Sequence, residues 1–128
     1  MKLLLDTHLL LWAAEGAMKL PTRAKDMMED KENTLYFSPA SLWEVAIKSG
    51  LGREDFDVDT RLLRRGLLDN GYHELPINSE HAVIVSSLPS LHKDPFDRML
   101  IAQSQAEGIA LVTADATIAQ YPGSIIKV

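Results

Sequence analysis

Short apolar runs separated by stretches of helical periodicity constrain the fold of this chain more than any other feature. Lys2–Leu5 is brief and apolar and stops at Asp6, which suits a buried strand, although its leucines would serve a helix equally well. Thr34–Phe37 is β-branched and aromatic, and Ile109–Thr113 is the cleanest strand signal of all. Tyr72–Ile77 is a weaker strand ending around Pro76, and Ile125–Val128 a short last one. Helices are expected over Leu9–Ala14, from Pro21-Thr22 to about Lys31, and from Pro39, capped by Ser38, to a stop at Gly50-Leu51-Gly52. An acidic link, Asp55–Asp59, leads to a helix over Thr60–Leu68, and Asn78 or Ser79 caps another reaching about Ser87. Pro95 opens the last one behind Asp94 as N-cap, and Gly108 ends it. Strands separated by helices predict an α/β fold: one parallel β-sheet of about five strands, flanked by helices on both faces. No repeat or internal boundary breaks residues 1–128, so a single domain is expected.

Composition narrows the function classes. With 128 residues and 46% hydrophobic content the chain can bury one real core. It has no Cys, which removes disulfides, thiolate metal sites and cysteine nucleophiles and suits a reducing compartment. A net charge of -5 argues against a broad basic surface for nucleic acid, which would have to be met by a local patch or by bound cations. The leucines near the N-terminus faintly suggest a signal peptide. Asp6, Thr7 and His8 interrupt that run, and no apolar stretch approaches the ~20 residues of a membrane span, so a cytoplasmic protein is expected.

Four acids stand out. Asp6 ends the first strand and Asp115 follows the Ile109–Thr113 strand. Asp97 opens the last helix on the same face as Leu100, Ile101 and Ser104, where an unpaired charge is costly. Glu44 lies on the Pro39 helix with Ala40 and Ile47 on its own face. Each has a structural explanation: Asp6 and Asp115 as turn or cap residues, Asp97 as an N3 residue at the positive helix end, Glu44 as partner in a Ser41 capping box. The last fails if Pro39 is the first helical residue, because Glu44 then lies too deep. In open α/β sheets ligands sit beyond the carboxyl ends of the strands, where these acids can converge. One acidic pocket accounts for all four, but it must hold cations or protons to offset its repulsion. Oxygen-only ligands suit Mg²⁺, with Mn²⁺ the alternative. His8, His73, His81 and His92 lack zinc-site spacing and read as ordinary or supporting residues, His92 being the nearest to the site.

Leu3-Leu4-Leu5-Asp6-Thr7-His8, Ser41-Leu42-Trp43-Glu44, the run His92–Gln103 (His-Lys-Asp-Pro-Phe-Asp-Arg-Met-Leu-Ile-Ala-Gln) and Leu111-Val112-Thr113-Ala114-Asp115 together resemble the four motifs of PIN-domain ribonucleases. More narrowly they resemble the VapC-like toxins of bacterial type II toxin–antitoxin pairs. The third motif is the specific one. The resemblance implies Asp6, Glu44, Asp97 and Asp115 as catalytic, metal-binding acids, with supporting hydroxyls at Thr7, Ser38 and Thr113. It also implies an RNA substrate, a cognate antitoxin and a homodimer.

The chemistry implied is metal-assisted phosphodiester hydrolysis with no covalent intermediate. Lys48, Arg53, Arg64, Arg65, Lys93 and Arg98 are candidate phosphate contacts, and the apolar residues of Leu9–Trp12 and Leu42–Val45 are candidate interface surface. Two alternatives remain open at this point: a receiver-like phosphoacceptor domain and a catalytically silent binding module on the PIN fold. A receiver wants adjacent acids after its first strand, where this chain has Thr7 and His8. A dehalogenase-type phosphatase would need Asp where His8 stands.

Overall fold

The computed structural model describes residues 1–51 and 57–128, so Gly52, Arg53 and Asp55 lie outside the described residues. Five strands, β1 (Lys2–Leu5), β2 (Thr34–Phe37), β3 (His73–Glu74), β4 (Ala110–Thr113) and β5 (Ile125–Lys127), form one sheet in the order β3-β2-β1-β4-β5. Every neighbouring pair is parallel. The described helices are α1 (Thr7–Glu15), α2 (Thr22–Glu29), α3 (Pro39–Gly50), α4 (Thr60–Asp69), α5 (Ser79–Val85) and α6 (Pro95–Glu107), with a 3₁₀ turn at Ile118–Gln120.

The period-2 alternation of the central strands builds two cores. Leu3 and Leu5 of β1 and Ala110 and Val112 of β4 pack on one face with Leu9 and Leu10 of α1 and Leu63 and Leu67 of α4. Leu4 and Leu111 turn to the other face and meet Leu100 and Ile101 of α6, with Ile118 and Tyr121. Leu4 and Leu111 are fully buried, so truncating either to Ala costs ~2–5 kcal/mol. The α3 helix gives Val45 to the first core and Ala40 to the second, so it straddles the edge of the sheet. That placement brings the middle of α3 over the ends of the strands.

The chain winds outward from β1 through β2 to β3, then returns to the other side of β1 to lay down β4 and β5. The direction of winding therefore reverses between β1 and β4, and ligands bind at such a switch point. Leu5 is level with Val112 in the register, which sets Asp6 beside Thr113. Strand β3 is shorter than the sequence suggests because Pro76 has no N–H to extend an edge pairing that Leu75 closes on the Phe37 carbonyl (2.8 Å). Gly16 and Gly108 end α1 and α6 in the left-handed conformation (φ 63° and 65°), which glycine adopts without a Cβ clash.

Candidate functional site

Asp6 leaves β1 and becomes the N-cap of α1. Its Oδ1 accepts from the Leu9 N–H (3.0 Å), and its Oδ2 accepts from the Thr113 hydroxyl. The same Thr113 oxygen accepts from the Asp115 N–H (3.0 Å), so one hydroxyl ties the ends of β1 and β4 together. Asp115 in turn caps the 3₁₀ turn, its Oδ1 accepting from Thr117 N–H (2.7 Å) and Ile118 N–H (3.2 Å). Burial pushes the Asp6 carboxyl above its ordinary value; hydrogen bonds from Thr113 and Leu9 and the nearby His8 oppose this, and the charge of Asp115 adds to it.

Ser38 caps α3, accepting from Ala40 N–H (3.0 Å), and Pro39 is its first residue. Glu44 is therefore too deep to cap, and the Ser41 capping box does not form. The Ser41 hydroxyl instead accepts from Thr7 Oγ1 (2.8 Å). Glu44 is 2% exposed. Its Oε2 accepts from Lys48 Nζ at 2.6 Å, one turn further along α3, while its Oε1 is buried with no protein partner. A buried carboxylate oxygen left without a donor is expensive to hold.

Asp94 caps α6, accepting from Phe96 N–H (2.9 Å) and Asp97 N–H (3.1 Å). The Asp97 side chain is thus released from capping and meets His92 Nε2 at 2.8 Å. Burial, then the charge of Asp94, then that of Glu44 push the Asp97 carboxyl up to about 6, against the opposing hydrogen bond and charge of His92. Asp97 and Asp115 come together with His92, each offering a ligand atom within 4.8 Å of the others. Asp6 joins this group through Thr113 and the field of Asp115, and Glu44 through its field on Asp97.

Several sequence expectations change. His92 was expected only near the site and is a member of its closest group. The signal lay in its position, on the loop that folds back over the start of α6. Of the three expected hydroxyls, Thr113 reaches an acid directly, whereas Thr7 bonds Ser41 and Ser38 caps α3. Arg98 was a candidate phosphate contact, but its guanidinium donates to the carbonyls of Val85 (2.9 Å) and Pro89 (2.9 Å) and to the Tyr121 hydroxyl (3.2 Å). Lys48 sits on Glu44; Lys93, Arg64 and Arg65 are exposed; Arg53 lies outside the described residues. Leu9, Leu10, Leu11 and Val45 are buried in the first core and offer no interface surface. The large exposed apolar residues of α3 are Trp43 and Ile47, with Leu51 just after them. A groove of about 850 Å³ between α1, α2 and α4 is lined by residues such as Leu10, Met28 and Tyr72, and none of the four acids lines it. Among the described residues no helix is long and apolar enough to cross a membrane.

A five-stranded parallel sheet with acids gathered beyond its switch point defines a class of α/β protein with an acidic strand edge. The sequence pattern of the PIN domain family matches residues 3–124, and the chain belongs to that family. No curated protein matches the chain significantly. Among solved structures, the fold is similar to a chain of VapBC2 from Rickettsia felis bound to a DNA fragment from their promoter. That match has TM-score 0.74 and 17% identity, covering 99% of this chain and 98% of the other. A toxin-antitoxin complex from Klebsiella pneumoniae gives TM-score 0.64 at 20% identity, covering 97% and 95%. VapBC-1 from nontypeable Haemophilus influenzae gives 0.64 at 15%, covering 99% and 98%. At these identities the likeness speaks for the fold.

Proposed function

We propose that this protein is a metal-dependent endoribonuclease and the toxin of a type II toxin–antitoxin pair, acting in the cytoplasm. The observation that carries the reading is the buried, unpartnered Glu44 Oε1 beside the raised Asp97, in a PIN domain whose other acids gather at the same edge. Such a group is stable only with a cation or a proton, and its oxygen-rich donors fit a divalent ion. Asp6, Glu44, Asp97 and Asp115 would hold it. A divalent ion held there would supply activation of a water for attack on the phosphodiester and neutralisation of phosphate charge. Thr113 fixes the Asp6 carboxylate, and the caps on Asp115 hold that side chain at the end of β4. Lys48, which pairs with Glu44, would be released to meet a phosphate once Glu44 turned to a metal ion. The partner in this reading is an antitoxin, as in the toxin–antitoxin structures of similar fold. Trp43, Ile47 and Leu51, spaced i, i+4, i+8 and exposed, supply apolar surface for a homodimer.

The test is cleavage of a mixed RNA pool by purified protein with Mg²⁺, with Mn²⁺ and with chelator. Cleavage that needs the ion and disappears in Glu44→Gln and Asp97→Asn, both still folded, is the expected result. Undiminished cleavage in chelator refutes the reading, and no cleavage under any condition favours a silent binding module.

A further inference from the structure

The proposed metal site contains one donor that an all-carboxylate cluster has no need of. His92 Nε2 stands 2.8 Å from Asp97 Oδ2, and His92, Asp97 and Asp115 each offer one ligand atom within 4.8 Å of the others. Adjacent ligands of an octahedral ion with bonds of ~2.1 Å are ~3.0 Å apart, so the imidazole and the carboxylate already stand at about the spacing of neighbouring ligands.

The backbone around His92 is held far more firmly than a surface loop requires. Its N–H donates to the Tyr121 hydroxyl (2.7 Å), and its carbonyl lies 3.4 Å from both that hydroxyl and Arg98 Nη1. Tyr121 is itself buried in the second core, and Arg98 ties the same loop at Pro89 and the end of α5 at Val85. The loop is thereby pinned to α6, the helix that carries Asp97. Preorganisation of this kind is what a ligand needs and a solvated histidine does not.

We infer that His92 supplies its imidazole nitrogen directly to the metal site beside Asp97 and Asp115, so that the site prefers Mn²⁺ over Mg²⁺. This rests on the acid-site reading above and departs from the oxygen-only set that the sequence suggested. Mg²⁺ favours hard oxygen ligands, whereas imidazole suits transition ions, and Mn²⁺ accepts both donors. The rival role for His92 is to orient Asp97 by hydrogen bonding without touching the ion.

Pulsed EPR of the Mn²⁺-loaded protein, joined to calorimetric titration with each ion, separates these roles. His92→Gln keeps a hydrogen-bonding group toward Asp97 but removes the imidazole. His8→Gln is the control, because His8 is exposed and close enough to Asp6 to affect its carboxyl. The wild-type protein should show a directly coordinated ¹⁴N that persists in His8→Gln and vanishes in His92→Gln. Mn²⁺ affinity should fall about tenfold or more in His92→Gln while Mg²⁺ affinity changes less than about threefold. No coordinated ¹⁴N in the wild type, or equal loss of both ions in His92→Gln, overturns the inference in favour of orientation. Asp97→Asn keeps the two layers distinct. If it abolishes Mn²⁺ binding while no ¹⁴N is seen, only the role of His92 fails; if it binds Mn²⁺ as the wild type does, or the wild type binds no ion, the acid site itself fails.

Discussion

Replacing Asp97 by Asn should stabilise the protein when no metal is present. The folded-state carboxyl titrates at about 6 against an ordinary 3.8, with burial the main cause. Between these values the folded chain binds the proton and the unfolded chain does not, so stability falls as pH rises through this window and levels off above it. At 1.36 kcal/mol per unit, the shift corresponds to at most about 3 kcal/mol of destabilisation at neutral pH. Asn removes the charge and keeps a polar contact for His92, losing only the ionic part of that pairing. A net gain of ~1–2 kcal/mol is expected, which for 128 residues is roughly 4–8 °C in melting temperature. Thermal unfolding in chelator from pH 4 to 8 checks this. The two proteins should melt together near pH 4 and diverge between pH 4 and 6, with the variant higher and the gap nearly constant above that. Saturating Mn²⁺ should reverse the order, since a ligand at 100 times its Kd adds about 2.7 kcal/mol to the protein that binds it. A clearly less stable variant at neutral pH in chelator would refute the reasoning, because the pairing with His92 and the helix N-terminus would then outweigh repulsion and burial.

Thr113→Val removes both the donor to Asp6 and the acceptor for the Asp115 N–H; urea unfolding should show a loss of ~1–3 kcal/mol, with cleavage strongly reduced. Arg98→Gln frees the loop that carries His92, and the expected result is weaker Mn²⁺ binding by calorimetry and a melting temperature lowered by several degrees, with α6 still capped by Asp94. Lys48→Ala removes the partner of Glu44 Oε2 and so leaves neither carboxylate oxygen bonded; metal-free protein should melt lower and gain more from Mn²⁺ than the wild type does in the same scan.

The fold was legible wherever local pattern and tertiary demand agree. Strands β1, β2 and β4 occupy the apolar runs almost residue for residue because all three are interior to the sheet, with β1 and β4 buried on both faces and β2 partly so. The differences sit at ends, where one side-chain hydrogen bond decides the boundary. Helix α1 begins at Thr7 rather than Leu9 because the Asp6 side chain caps it. Helix α5 stops at Val85 because the hydroxyls of Ser86 and Ser87 donate back to the carbonyls of Val83 and Ile84. Its capping box is closed by His81, not by an acid, which no pattern of Ser or Thr followed by Glu would find. The 3₁₀ turn at Ile118–Gln120 follows from Asp115 turning its carboxylate onto two backbone N–H groups, a contact that the bare residue Asp115 does not announce.

The acids are legible in the sequence as candidates, and the geometry leaves room for one carboxylate both to cap and to ligate. Helices α1 and α3 follow parallel strands directly, and α6 runs back antiparallel to β4, so all three begin at the carboxyl edge of the sheet. Their N-termini present unpaired N–H groups and positive dipole ends to one region, which favours carboxylates there. Asp6 and Asp115 serve as caps with one oxygen each, and a cap engages only one of a carboxylate's two oxygens. The second Asp6 oxygen is oriented by Thr113, whose hydroxyl also accepts from the Asp115 backbone. At α6 the two duties are divided between two residues: Asp94 takes the cap and Asp97 is left for the site. Glu44, too deep to cap, depends on Lys48 and on whatever meets its bare oxygen. The topology that makes an acid a good cap is therefore the same topology that gathers acids at one edge, and loss of a cap and loss of a ligand are separated only by measuring stability with and without the ion.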